Sequence, residues 1–284
     1  MNTKADAVRA GLSRGLIEIK ASLSNPAELL SGYLLMPAIF ITIVFLLGDG
    51  EGEAGATAGS FVMVGGITML LVMLGTATVT QVLGSEREDG TLLRARCVPD
   101  GMVGYAVAKT AHLAGMAALC LALMIVPGLL LVDGFALRGA VEVFTLLWVC
   151  ALSLLALAPI GAITGALMSN PRIAVSVSMM PGIALVLSSG VMIPLEIMPD
   201  WVQAAVKVFP VYWSGVGLQS ALMPAEYAAA ELGGAWQLTR AAGVLALWAV
   251  AGFAVAQRVL RRAARHTSGS RVQEAREKAM KRGY

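Results

Sequence analysis

Catalysis requires a constellation of reactive groups, and the residues of this chain that could form one are few. The two histidines, His112 and His266, have no plausible nucleophile beside them, and neither HExxH nor GxSxG occurs. Cys97, Cys120 and Cys150 are odd in number, sit in or beside apolar segments and form no CxxC, so neither a disulfide framework nor a zinc site is expected. Gly50 and Gly55 have Walker spacing, but Ala56-Thr57 stand where a lysine and a hydroxyl residue would have to reach phosphates. No catalytic residue and no metal ligand is therefore assigned. What remains is charge. Lys109 and His112, at i and i+3 inside an apolar run, share a helix face and could relay protons. Both lie in the first turns from the cytoplasmic end, however, and the expectation is that Lys109 snorkels its ammonium to the headgroups. The most polar internal stretch, Gly84 to Arg96, either docks a soluble partner or keeps charge in water.

The elements that carry these residues follow from composition. The 284 residues are 57% hydrophobic and only 14% charged, with a mean hydropathy of +0.76; a soluble domain carries about 25% charge. Long stretches, among them Leu29–Leu47, Ala54–Ser85 and Thr110–Val132, hold no Asp, Glu, Lys or Arg. Most reach the roughly 20 residues that cross a bilayer. The reading is an all-α polytopic membrane protein, one domain over 1–284. It consists of an N-terminal amphipathic interfacial helix (1–25), a six-span core (26–260) and a basic cytoplasmic tail (261–284). The spans are expected at about 26–47, 59–83, 103–132, 140–168, 173–193 and 239–260. No cleaved leader is expected, because a 28-residue segment interspersed with polar and charged residues precedes the first apolar run, which is too long for a signal core.

Basic residues give the orientation. With both termini cytoplasmic, 18 of the 21 Lys and Arg fall inside, and only Arg138, Lys207 and Arg240 outside. A span over 208–225 would reverse that pattern. Pro210 and Pro224 bracket this run, and Gln219 and Ser220 interrupt it. Residues 194–238 therefore read as an outer re-entrant hairpin between spans 5 and 6. Asp200 would N-cap a short helix from Trp201 that Pro210 ends, with Trp201, Tyr212, Trp213 and Trp236 at the interface.

Local signals sharpen the ends. Val8, Leu12, Leu16, Ile19 and Leu23 form an apolar stripe suited to a helix lying flat on the inner leaflet. Asn25-Pro26-Ala27-Glu28 reads as N-cap, N1 proline and N3 carboxylate. In span 2, Met69, Met73, Thr76 and Thr80 line one face, for helix packing or for a pathway. Gly161 and Gly165 permit close packing of span 4. Gly90 would end span 2, and Thr91 would N-cap a short cytoplasmic helix with Leu92 on its apolar side.

Two motifs resemble a known family. Glu86-Arg87-Glu88-Asp89-Gly90-Thr91-Leu92 is similar to the E-R-E-x-G-T-L motif of ABC-2 type transporter permeases. Gly190 to Trp201, followed by Pro210-Val211-Tyr212, is similar to that family's stretch after span 5. Small size and the lack of a fused ATPase resemble the daunorubicin-resistance type of bacterial drug-export permease. The resemblance implies a half-transporter in the bacterial inner membrane: two permease copies, or this chain and a paralogue, with two separate ATP-binding subunits that hold the ATP and Mg. It implies that the N-terminal amphipathic helix and the 86–96 segment contact the ATPase, the latter as a coupling helix through Glu86, Arg87, Glu88, Gly90, Thr91 and Leu92. Spans 2 and 5 would line a pathway, for which Thr76, Thr80, Ser176, Met179, Met180 and Met192 are candidates. No nucleic acid is expected as a partner. The rivals are export of a lipid-linked glycan, and an ATP-independent ion-coupled carrier.

Overall fold

The computed structural model describes residues 3–47, 56–88, 97–98, 100–168, 170–192, 195, 198–229 and 235–282, and every element among them is helical. Helix α1 spans Thr3–Ser24. It stops at Asn25, whose extended backbone (φ −97°) and side-chain oxygen cap the Glu28 amide at 3.4 Å, with Pro26 in the first turn. The cap read from sequence is thus present. Helix α2 covers Pro26–Leu47 and contains a π-helical turn, Leu29–Leu34.

Helix α3 is α-helical over Ala58–Val72 and Val79–Glu88, with a π-helical segment Met73–Thr78 between. A reciprocal cap that sequence reading missed opens it: the Ser60 amide donates to Thr57 Oγ1 at 3.2 Å, and the Thr57 amide to Ser60 Oγ at 3.1 Å. There follow α4 (Gly101–Leu131), α5 (Ala140–Leu167), α6 (Pro171–Ser188), α7 (Asp200–Val206), α8 (Pro210–Leu222), a 3₁₀ turn (Ala225–Ala229) and α9 (Leu238–Arg282).

Five segments are long and apolar enough to cross a membrane: Pro26–Leu47, Ala58–Glu86, Gly101–Leu131, Ala140–Leu167 and Leu238–Leu260. The expected fifth span, 173–193, is shortened. Its apolar helix ends at Ser188, because Ser189 and Gly190 turn the chain, with Gly190 at φ +80°. Buried neighbours decide the layering. In α3, 78% of the most apolar stretch is buried within the chain, against 18% in α2 and 17% in α9. Helix α3 is therefore the central post, and α2 and α9 lie at the periphery.

Packing fixes the directions. A Cβ added to Gly161 would overlap the Thr76 carbonyl oxygen, and one on Gly165 would come within 2.9 Å of the Thr80 carbonyl. Helix α5 thus runs alongside α3 in the same sense, at backbone contact. The spacing of these two glycines was a real packing signal. Gly182 faces Val72 while Met192 faces Gly65, so α6 runs the opposite way.

Helix α1 does not stand apart as a free surface helix. Gly11 and Gly15 rest on the Gly104 and Ala108 carbonyls of α4, where a Cβ would sit 2.5 and 2.8 Å from those oxygens. The buried face of α1 is Gly11, Gly15 and Ser22, while the apolar stripe beside it, with Leu12, Leu16 and Leu23, stays exposed. Small residues took the packing face because only they let two backbones approach this closely; the larger apolar residues are left free for lipid.

The hairpin also departs in detail from expectation. Pro199, not Asp200, occupies the N-cap of α7, and Asp200 lies in the first turn. Helix α7 stops at Val206, and Pro210 begins α8 instead of ending α7, which suits its fixed φ and missing N–H. Trp201 is exposed, but Tyr212 and Trp213 are buried among helices and so are not interface anchors.

Candidate functional site

The end of the bundle that carries Glu86 concentrates the ionisable groups. Glu86 is the first motif residue, in the last turns of α3, and it is only 8% exposed. Its Oε1 lies 2.6 Å from Lys109 Nζ on α4, and the Tyr105 hydroxyl, one turn earlier on α4, donates to its Oε2. The same ammonium donates to Glu18 Oε2 on α1 at 2.8 Å, and the other oxygen of Glu18 receives Arg14 Nε at 2.9 Å. One cation on α4 thus joins a carboxylate of α1 to a carboxylate of α3. Burial raises the Glu18 carboxyl, but the Lys109 and Arg14 hydrogen bonds and charges outweigh it and hold the group below its ordinary value of 4.5.

One turn further along α4, His112 Nε2 lies 3.2 Å from Ser22 Oγ, and Ser22 donates to Glu28 Oε1 at 2.9 Å. Ser22 has one hydroxyl hydrogen, and Glu28 takes it, so the histidine must carry its proton on Nε2. His112 Nδ1 is buried without a hydrogen-bond partner, 4.0 Å from Glu18 Oε2. The network therefore reaches the first turn of α2.

The snorkelling expected of Lys109 is not what the structure shows: its side chain is 18% exposed and its ammonium is spent on two carboxylates. Glu86 is turned inward in the same way. The side chains of Arg87 and Glu88 lie outside the described residues, as do Gly90, Thr91, Leu92 and with them the expected coupling helix. Sequence reading missed Glu18, Tyr105 and Ser22 as members. The available signal was Glu18 on the small-residue face of α1, beside Gly11, Gly15 and Ser22 rather than on the solvent side.

The residues named for a pathway do not form one group. Thr76 and Thr80 are buried at the α3–α5 contact, where Thr76 Oγ1 donates to the Val72 carbonyl at 2.7 Å. Thr80 Oγ1 lies 2.8 Å from Thr164 Oγ1 and 3.0 Å from the Gly161 carbonyl. Ser176 and Met180 are exposed on α6, and Met179 and Met192 are half-buried. Cys120 and Cys150 are buried and Cys97 is exposed.

At the opposite end the hairpin enters the bundle. Trp248 Nε1 donates to the Val208 carbonyl at 2.8 Å, and Trp213 Nε1 to the Lys207 carbonyl at 2.7 Å. Trp248 is ten residues along α9 from Leu238, so the 207–209 turn sits about 15 Å below that end. Two indoles thus supply donors to the carbonyls of this turn, whose Val208 is exposed and whose Lys207 is half-buried. Helix α8 then climbs back, buried over nearly its whole length, until the Leu222 carbonyl meets the Ala136 amide at 2.9 Å.

Several apolar helices packed around the buried helix α8 define a multi-pass membrane protein. The chain matches the ABC-2 type transporter family over residues 14–223. It belongs to that family, a membrane transport component that normally works with an ATP-binding subunit. No curated protein matches the chain.

Proposed function

We propose that the chain is the permease half of an ATP-driven exporter of the daunorubicin-resistance type, moving an amphipathic or hydrophobic compound outward across a bacterial inner membrane. Two permeases, identical or paralogous, pair with two ATP-binding subunits, which hold ATP and Mg. The chain crosses the membrane six times, with α6 and residues 189–199 completing the fifth passage and both termini in the cytoplasm. The segment from the end of α3 onward receives the motor subunit, and Arg87, Glu88, Gly90, Thr91 and Leu92 contact it. Ser176, Met179, Met180 and Met192, on or just after α6, face the moving compound. Thr76 and Thr80, buried at the α3–α5 contact, hold the two helices together.

One observation supports this reading above the others: the family match, residues 14–223, includes the loop motif and helices α7 and α8. Alternating access fits because substrate recognition by adaptable methionines tolerates varied shapes. The test is reconstitution of the chain with its co-purified ATP-binding subunit in vesicles, with daunorubicin as the probe. ATP-dependent movement of the drug is expected. Drug movement driven by a pH gradient in vesicles holding this chain alone would replace the reading with an ion-coupled carrier.

A further inference from the structure

The arrangement around Lys109 has a consequence for how force crosses the permease. Three helices meet at one ammonium: α1 through Glu18 at 2.8 Å, α3 through Glu86 at 2.6 Å, and α4 through Lys109 itself. Glu18 keeps a second cation, Arg14, if Lys109 is lost, whereas among the described residues Glu86 keeps only the Tyr105 hydroxyl. Among the described residues the link between α1 and α3 thus has a single cationic member. Glu86 also stands two residues before the end of α3, where the first loop begins.

We propose that Lys109 is the transmission joint of this permease, a positioning residue that passes displacement of the loop after Glu86 to α1, with Glu86 and Glu18 as its two arms. Glu86 is then an internal lever and not a contact of the motor subunit. Ser22 and Glu28 extend the joint into the first turn of α2. The inference rests on the ATP-coupled reading above and adds to it the route of coupling inside this chain.

The geometry makes an unusual demand on charge reversal. Exchanging one pair, as in Lys109→Glu with Glu86→Lys, leaves two carboxylates facing each other at position 109 and Glu18. Only the triple exchange Glu18→Lys, Lys109→Glu, Glu86→Lys restores both arms.

The experiment uses the complex of the chain with its ATP-binding subunit and follows maleimide labelling at two exposed positions. One is native Cys97, in the loop between α3 and α4; the other is Ile17→Cys on α1, in a Cys97→Ser background. In the parent complex, Mg-ATP changes the labelling rate at both, by about fivefold for an ordinary coupling. With Lys109→Met the change persists at Cys97 and is lost at position 17; with Lys109→Arg it is kept at both. The triple exchange restores the response at position 17 and the double exchange does not.

A response at position 17 that survives Lys109→Met, or that the double exchange restores, overturns the joint. Where Lys109→Met does not assemble, the double and triple exchanges decide the matter alone. A parent complex in which Mg-ATP alters neither position overturns the ATP-coupled reading itself.

Discussion

A lysine held between two carboxylates is a local electrostatic trap, and its removal is felt in proportion to how far water is excluded. The side chains of Lys109, Glu18 and Glu86 are 18%, 21% and 10% exposed, so the cluster is neither fully buried nor a surface pair. Deleting one partner of a fully buried pair costs about 3–5 kcal/mol, and a hydrogen bond to a charged group about 1.5–3. Lys109→Met should therefore lower stability by about 2 kcal/mol, read as a fall in the thermal midpoint of the detergent-solubilised protein. Lys109→Arg should recover most of it. The same cluster sets a pH dependence. The folded state holds the Glu18 carboxyl below its ordinary 4.5, so the stability it contributes is fully present above that value. It is lost as pH falls through the depressed value. Glu18→Gln should flatten this acid limb of the thermal-midpoint profile, and an unchanged limb would show that other carboxylates control it. None of this partnership was legible in the sequence, because Glu18 and Lys109 are 91 residues apart and Coulomb attraction leaves no local pattern. What could be read was that Lys109 and His112 share a face.

At the scale of elements the small residues govern. Gly161 touches the α3 backbone at Thr76, in the π-helical stretch Met73–Thr78, whereas Gly243 on α9 has open space around it. A methyl group at 161 must displace backbone, and overpacking of this kind costs about 1–3 kcal/mol. Gly161→Ala should destabilise by that amount. Gly243→Ala should instead gain up to about 1 kcal/mol of helix propensity, and the two unfolding curves should move in opposite directions. The hairpin offers a second contrast. Trp248→Phe keeps the ring in place and removes the N–H that serves the Val208 carbonyl, at a cost of about 1 kcal/mol, the scale measured for such bonds in membrane proteins. Trp201→Phe, exposed and outside that turn, should cost nothing measurable in the same unfolding assay. Helix identity, the Asn25 cap and the tight Gly161–Gly165 contact were legible because each is encoded within a few residues. The seating of α1 on α4 was not, since an apolar stripe and a small-residue face compete to be the packing side. Backbone proximity at Gly11 and Gly15 decided for the latter.

Taken as a whole molecule, the number of passages turns on α6. It is 18 residues long, about 27 Å at helical rise, slightly short of a roughly 30 Å hydrocarbon layer. Five segments clear the length and hydropathy expected of a span, and an odd count would put the two termini on opposite sides. The packing argues against that outcome. Three residues separate the end of α5 from the start of α6, which runs antiparallel to α3, passing Val72 at Gly182; the chain after it reaches Gly65 at Met192. Gly65 is seven residues from Ala58, which leaves about 10 Å to the far end. The chain after Met192 then enters α7 and α8, and α8 is buried over nearly its whole length, so protein rather than lipid surrounds that helix. Hydropathy counts only the 18 residues of α6, and the proposed crossing needs the chain after Ser188 as well. The expected consequence is an even number of crossings. Reporter enzymes fused after Arg282 and before Thr3 should be active on the same side of the membrane, and a reporter inserted at Gly134, between α4 and α5, on the other. Termini that report opposite sides would mean that α6 turns back within the bilayer.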